Sequence, residues 1–165
     1  MADVYNASEI YAIGIEIEKN GSTFYHACAE TTDNAQVKKL CEELAGWENQ
    51  HVALFEALKA SLPEDPELQA VFDPEEEYVL YLKAVADSHI FLINRDVSEL
   101  VRKAVSPREL MEMALAFEKD SVVLYVTMLK MVPDALGKRD IEQIIDEEIR
   151  HVSIIRKQLD SMLEG

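Results

Sequence analysis

A repeated pattern of glutamate and histidine constrains the fold of this chain more than any other feature of its sequence. Each copy has one Glu, followed 30 residues later by Glu-x-x-His, and the second copy lies 100 residues after the first. Buried carboxylates are costly unless they are paired or bind a cation. The repeat therefore predicts one shared site. Its residues, here called the six site residues, are Glu18, Glu48, His51, Glu118, Glu148 and His151.

Both copies lie in segments where apolar residues recur at helical spacing, which predicts four long helices. The first begins near Asn6 or Ser8, with Asn6 and Glu9 as a capping box, and ends near Thr31. The second is capped by Asp33 and ends near Ser61. Ser106 caps the third, which ends near Met131, and the fourth covers about 138–163.

The spacing within each copy predicts that the site residues lie at one level of a bundle. Asp33 is midway between Glu18 and Glu48, and Pro133 is midway between Glu118 and Glu148. If the chain turns at these midpoints, each Glu lies about 22 Å from its turn. We therefore predict an all-α four-helix bundle in a single domain, 1–165. Its parts are hairpin 1 (about 6–61), a helical crossover (62–105) and hairpin 2 (about 106–163).

The crossover is long, and it carries helix signals of its own. Asp73, Pro74 and the three acids that follow are typical of a helix start, and the predicted helix runs to about Phe91. Asp96 is predicted to cap a short helix that continues to Ala104. Helices within the connection are expected, because structureless loops of this length are uncommon in compact domains.

Composition excludes several classes of function. The formal net charge is −16 in 165 residues, which disfavours nucleic-acid binding because such a surface repels phosphates. No apolar stretch is long enough to cross a bilayer, and the N-terminus lacks the pattern of a secretory signal. We therefore expect a cytoplasmic protein that binds neither membrane nor nucleic acid.

The two cysteines, Cys28 and Cys41, form no Cys-x-x-Cys motif. Both lie on apolar helical faces, so we expect buried free thiols. A disulfide between them is the alternative interpretation.

Four carboxylates and two imidazoles form a donor set that suits iron or manganese, and its many oxygens disfavour a structural zinc ion. The two members of each Glu-x-x-His lie on one helix face, so both can reach the same cation. Carboxylates can bridge two ions, and each imidazole adds a neutral nitrogen. The alternative is a metal-free bundle whose core ion pairs satisfy one another, serving as a helical interaction module.

Several neighbouring residues have two open interpretations. Tyr25 and Tyr125 are either core tyrosines or catalytic residues whose hydroxyls approach the ligands as hydrogen-bond donors or electron sources. Glu147 and Arg150 form either an outer partner of a ligand histidine or a surface ion pair. Five further residues are expected to have no ligand role, namely Glu16, Glu43, Glu112, His26 and His89.

The segment from Glu18 to Tyr25, together with both Glu-x-x-His motifs, resembles the rubrerythrin-related branch of the ferritin-like superfamily. The resemblance covers both hairpins. It implies a ferritin-like fold, a centre of two iron ions held by the six site residues, and a reaction with hydrogen peroxide or oxygen. It also implies a homodimer. The open alternatives are an iron-handling protein with ferroxidase activity, and a catalase-like enzyme with two manganese ions.

The sequence departs from rubrerythrins at two points. Rubrerythrins typically end in a rubredoxin-like domain with paired Cys-x-x-Cys motifs, which this sequence lacks, so an external electron donor is expected. Rubrerythrins also carry an additional Glu three residues after the third-helix ligand, where this chain has Ser121. Their peroxidase cycle relies on an exchange of iron ligands, and a serine cannot replace that carboxylate.

Overall fold

The computed structural model describes residues 5–71, 73–88 and 96–163. Within these ranges the chain is helical apart from its connections, and an isolated β-bridge joins Asn6 and Ala70. Short 3-10 helices occur at Pro66–Gln69 and Asp134–Leu136. The α-helices are α1 (Ala7–Thr31), α2 (Ala35–Ala60), α3 (Glu77–Ser88), α4 (Val97–Lys103), α5 (Pro107–Met131) and α6 (Lys138–Ser161).

The four long helices form the predicted four-helix bundle. Helices α1 and α2 pack along each other as the first hairpin, and α5 and α6 form the second. Between the hairpins, α1 contacts α5 and α2 contacts α6. The crossover helices lie against the outside of the bundle, α3 on α5 and α4 on α1. The prediction of an all-α four-helix bundle is thus confirmed.

Most helix starts follow the sequence signals. The backbone N–H of Glu9 donates to the Asn6 side chain, and the Asn6 N–H donates to Glu9, each at 2.9 Å. The Asp96 carboxylate accepts from the N–H of Ser98 at 3.0 Å, at the start of α4. Ser106 Oγ accepts from the Glu109 N–H at 3.1 Å, and Pro107 is the first residue of α5.

Two predicted helix starts were wrong. Asn34, not Asp33, caps α2, because its side-chain oxygen accepts from the N–H groups of Gln36 and Val37. Helix α3 begins at Glu77, three residues after Pro74, because Glu76 has a left-handed backbone with φ of 55°. Asp73 still accepts from the N–H of Val79 at 2.8 Å. The predicted end of α3 at Phe91 lies outside the described residues.

A continuous apolar core joins the two hairpins. Phe24 packs edge-on against Phe117, with ring centroids 4.9 Å apart, and Phe55 lies 5.4 Å from Tyr125. These contacts hold α1 and α2 of the first hairpin to α5 of the second.

Both cysteines are buried free thiols, as predicted, so the alternative of a disulfide is wrong. A hydrogen bond with the Cys41 thiol, together with burial, raises the pKa of Cys28. Among the helices that the structure describes, none combines the length and the apolar character that a membrane span requires.

Candidate metal centre

The structure brings all six site residues together at the centre of the bundle. Glu18 is on α1, Glu48 and His51 on α2, Glu118 on α5, and Glu148 and His151 on α6. None of them is more than 5% exposed. The level placement that was inferred from the spacing within each hairpin is therefore observed. Their role as metal ligands is a separate matter and stays a prediction.

The donor atoms fall into two overlapping groups, and within each group they lie within 4.8 Å of one another. One group combines Glu18 and His51 with Glu48 and Glu148, and the other combines Glu118 and His151 with the same two glutamates. Glu48 and Glu148 are thus shared. Two cations that share Glu48 and Glu148 as ligands would fit this arrangement.

Each histidine turns its Nδ1 atom toward the carboxylates. His51 Nδ1 lies 2.9 Å from Glu148 Oε1 and 3.3 Å from Glu18 Oε2. His151 Nδ1 lies 3.1 Å from Glu148 Oε2 and 3.6 Å from Glu118 Oε2. The two rings stack at 5.6 Å, so both imidazoles face the same small volume.

The donors fit a divalent-cation centre. The Oε1 atom of Glu48 is buried and has no hydrogen-bond partner among the described residues. A buried carboxylate oxygen without a partner costs about 1–3 kcal/mol or more. A cation would remove this cost, and a set rich in oxygen with two imidazoles suits iron or manganese.

Without a bound cation, protons neutralise part of the negative charge of the six site residues. Burial, together with Glu118 and Glu18, raises the pKa of Glu148 to about 8, and burial beside Glu18 raises that of Glu48 well above its usual range. Burial alone would lower the pKa of His51, but hydrogen bonds with Glu148 and Glu18 raise it to about 11. At His151, too, burial alone would lower the pKa, but hydrogen bonds with Glu118 and Glu148 raise it to about 9. A cation would replace these protons.

The two tyrosines cross between the hairpins and bond to carboxylates. The Tyr25 hydroxyl donates to Glu118 Oε1, and the Tyr125 hydroxyl donates to Glu18 Oε1. Both side chains are buried, and burial beside these carboxylates raises the pKa of each phenol well above its usual range. The hydroxyls therefore stay protonated and orient the two unshared glutamates. A redox role for them stays a prediction.

The residue immediately before each Glu-x-x-His reaches the histidine of the other hairpin. Glu147 Oε2 lies 2.8 Å from His51 Nε2, so Glu147 is an outer partner of a predicted ligand, one of the two interpretations left open. Trp47 stacks on His151 at 5.0 Å, with ring planes 13° apart. The sequence pattern did not indicate this contact. A cavity of about 160 Å³ opens beside it, lined by Trp47, Gln50, Glu147, Arg150 and His151.

The residues that were expected to lie away from the site do so where they are described. Four of them are exposed, namely Glu16, Glu43, Glu112 and His26. His89 lies outside the described residues. Ser121 is buried at 6% exposure, and its side chain carries no carboxylate.

Comparison with known proteins agrees with the fold and the donor set. The family model described as Rubrerythrin matches residues 9–107, more than half of the chain. The chain therefore belongs to the rubrerythrin family of ferritin-like di-iron carboxylate proteins. The matched range contains Glu18, Glu48 and His51. It ends before Glu118, so the second half of the site depends on the internal repeat and on the structure.

A solved structure from Thermotoga maritima is similar over almost the whole chain. That protein is provisionally described as a ferritin-like diiron-carboxylate protein. The TM-score is 0.75 at 24% identity, covering 97% of this chain and 98% of the other, which supports a shared fold. No curated protein sequence matches the chain significantly. Family and donor set together indicate a metal-binding protein.

Proposed function

We propose that this protein is a non-haem di-iron oxidoreductase that reacts with hydrogen peroxide or oxygen. The observation that carries the proposal is the pair of buried donor groups that share Glu48 and Glu148. Two bound iron ions would supply Lewis acidity and two electrons for cleavage of the O–O bond. Family membership supports iron as the metal.

The chain's own residues would hold and orient the centre. Glu48 and Glu148 belong to both donor groups and would hold both ions, and carboxylates can change between one and two contacts as charge changes. Tyr25 and Tyr125 fix Glu118 and Glu18 from the opposite hairpin. Burial keeps bulk water from the donors, which strengthens their electrostatic interactions. The cavity beside His151 is a route by which a small oxidant could approach.

Turnover would need electrons from outside. Reduction of hydrogen peroxide to two water molecules consumes two electrons and two protons. The 165 residues contain no Cys-x-x-Cys pair that could hold a rubredoxin-type iron. We propose that these electrons come from a donor outside these 165 residues. A homodimer is also proposed, and sedimentation of the purified protein would test it.

The experiment is anaerobic loading of metal-stripped protein with Fe(II), followed by hydrogen peroxide or oxygen. We expect the near-ultraviolet absorption of an oxidised di-iron centre to appear with at least one oxidant, and the comparison of rates identifies the preferred one. The variant Glu48→Ala with Glu148→Ala should lose stoichiometric iron and this signal. Its matched control is Glu42→Ala with Glu142→Ala, because these glutamates occupy equivalent exposed positions on α2 and α6. If the fully loaded protein shows no spectral change with either oxidant, the proposal is wrong.

A further inference from the structure

The internal repeat is broken at the residue before each Glu-x-x-His. Position 147 is Glu, whereas the equivalent position 47 is Trp. Both residues cross to the other hairpin and contact its histidine, but they do so by different chemistry. The two halves of the centre therefore have similar donors and unequal surroundings.

Glu147 forms a hydrogen bond with the imidazole ring of His51. His51 Nδ1 faces the carboxylates, and Nε2 lies 2.8 Å from Glu147 Oε2. Nε2–H is thus the donor to Glu147, which leaves the Nδ1 lone pair for a cation. Gln143 donates to the other oxygen of Glu147 at 3.0 Å, so this carboxylate is itself held in place.

His151 has no carboxylate of this kind among its described contacts outside the six site residues. Trp47 covers its ring face at 5.0 Å, and an indole N–H cannot accept a hydrogen bond from imidazole. His151 also lines the cavity of about 160 Å³. No carboxylate is therefore described at the Nε2 atom of His151.

We propose that Glu147 is a positioning residue for His51 and makes the two cation positions unequal. The position served by Glu18 and His51 binds a divalent cation more tightly than the position served by Glu118 and His151. The reason is that a carboxylate that accepts from a ligand imidazole fixes its ring and raises its basicity, an effect whose loss typically costs 10–100-fold in affinity. This inference rests on the proposed metal-binding function.

Titration of metal-stripped full-length protein with Co(II), followed by its visible absorption, tests the proposal. The wild type should bind Co(II) in two steps of different affinity. Glu147→Leu should weaken the tighter step by about 10–100-fold and leave the weaker one within about twofold. Glu147→Gln keeps an acceptor for Nε2–H without the charge, so its loss should be smaller. The controls are Glu142→Leu and Glu142→Gln, at an exposed position of the same helix.

A second measurement separates positioning from general damage to the fold. In the Co(II)-loaded protein, the Nε2–H protons of the ligand histidines should give strongly shifted NMR signals that exchange with solvent. The His51 proton, held by Glu147, should exchange more slowly than the His151 proton, and Glu147→Leu should accelerate only the former. Trp47→Leu should change the His151 signal and the weaker step.

Three results would overturn the inference, namely two equal steps in the wild type, a tight step that Glu147→Leu leaves unchanged, or an equal loss at both steps. They differ from failure of metal binding itself, in which the wild type would bind no Co(II) at all. They also differ from failure of the proposed oxidoreductase function, in which the iron-loaded protein would show no spectral change with hydrogen peroxide or oxygen.

Discussion

Gly21 contributes to the site through the side chain that it lacks. It lies within α1, where a glycine costs about 0.5–1 kcal/mol relative to alanine. A Cβ atom at this position would lie 3.1 Å from Glu48 Oε2, closer than an ordinary contact. The glycine therefore leaves room for one of the two shared carboxylates.

We predict that Gly21→Ala displaces the Glu48 carboxylate by a few tenths of an ångström and weakens divalent-cation binding by about tenfold, in the range seen when ligand orientation is disturbed. Isothermal titration with Co(II) would measure the change. Gly46→Ala on α2 is the matched control, because a Cβ there meets nothing within 4 Å. It should stabilise the protein by about 0.5–1 kcal/mol and leave affinity unchanged. Equal affinities of the two variants for Co(II) would show that Gly21 does not influence the site.

For individual residues, the sequence predicted which six meet, because equal distances from the two turns place them at one level of the bundle. It could not predict the contacts made by Trp47 and Glu147. Trp47 reaches from α2 to α6, and Glu147 reaches from α6 to α2. A local sequence pattern does not specify which helices of a bundle are neighbours. The tyrosine contacts with Glu118 and Glu18 stayed open for the same reason.

The turn between α5 and α6 shows how a single backbone position fixes the placement of an element. Gly137 has φ of 103°, a left-handed conformation that side chains disfavour, and α6 starts directly after it without a side-chain cap. A Cβ atom there would overlap Leu58 Cδ2 near the end of α2. The Tyr11 hydroxyl donates to the carbonyl of the preceding Leu136, which ties the same turn to α1.

We predict that Gly137→Ala destabilises the fold. The left-handed backbone alone costs about 1–2 kcal/mol for an alanine, and the displaced Leu58 side chain adds to this. Urea unfolding at constant m value would measure the change, with Gly46→Ala as the same substitution in an ordinary helical conformation. Unchanged or increased stability of Gly137→Ala would show that the turn tolerates a side chain and does not set the start of α6.

Element bounds were predictable where one capping residue had no competitor, as at Asp96 and Ser106, or where a capping box favoured one of two candidates, as at Asn6 with Glu9. The bounds were not predictable where two adjacent residues could cap the same helix, as at Asp33 and Asn34. The choice there depends on where α1 ends. The Thr32 N–H still donates to the Cys28 carbonyl at 3.0 Å, and the Asn34 side chain two residues later accepts from the N–H groups of Gln36 and Val37. The turn at Glu76 has no sequence signal, since a left-handed glutamate is unusual.

For the whole molecule, the buried centre links folding to proton and metal binding. The folded chain without a cation keeps protons on Glu148, His51 and His151 at pH values where the unfolded chain releases them. Their folded pKa values are about 8, about 11 and about 9, all above the ordinary values of 4.5 for Glu and 6.5 for His. Stability from a raised pKa is complete below the unfolded value and is lost as pH rises toward the folded one.

We therefore predict that the metal-free protein loses stability between pH 6 and pH 8, by about 1.4 kcal/mol per pH unit for each excess proton of the folded state. Glu118 and Glu147 have lowered pKa values, but their opposite contribution falls at more acidic pH, below the ordinary Glu value of 4.5. Cations displace the protons, so the stabilisation by Co(II) should grow over the same interval. Urea unfolding at pH 6, 7 and 8 measures how the free energy of unfolding changes with pH, once with a chelator and once with Co(II). A metal-free protein that gains stability from pH 6 to pH 8 would show that its buried carboxylates are ionised without cations.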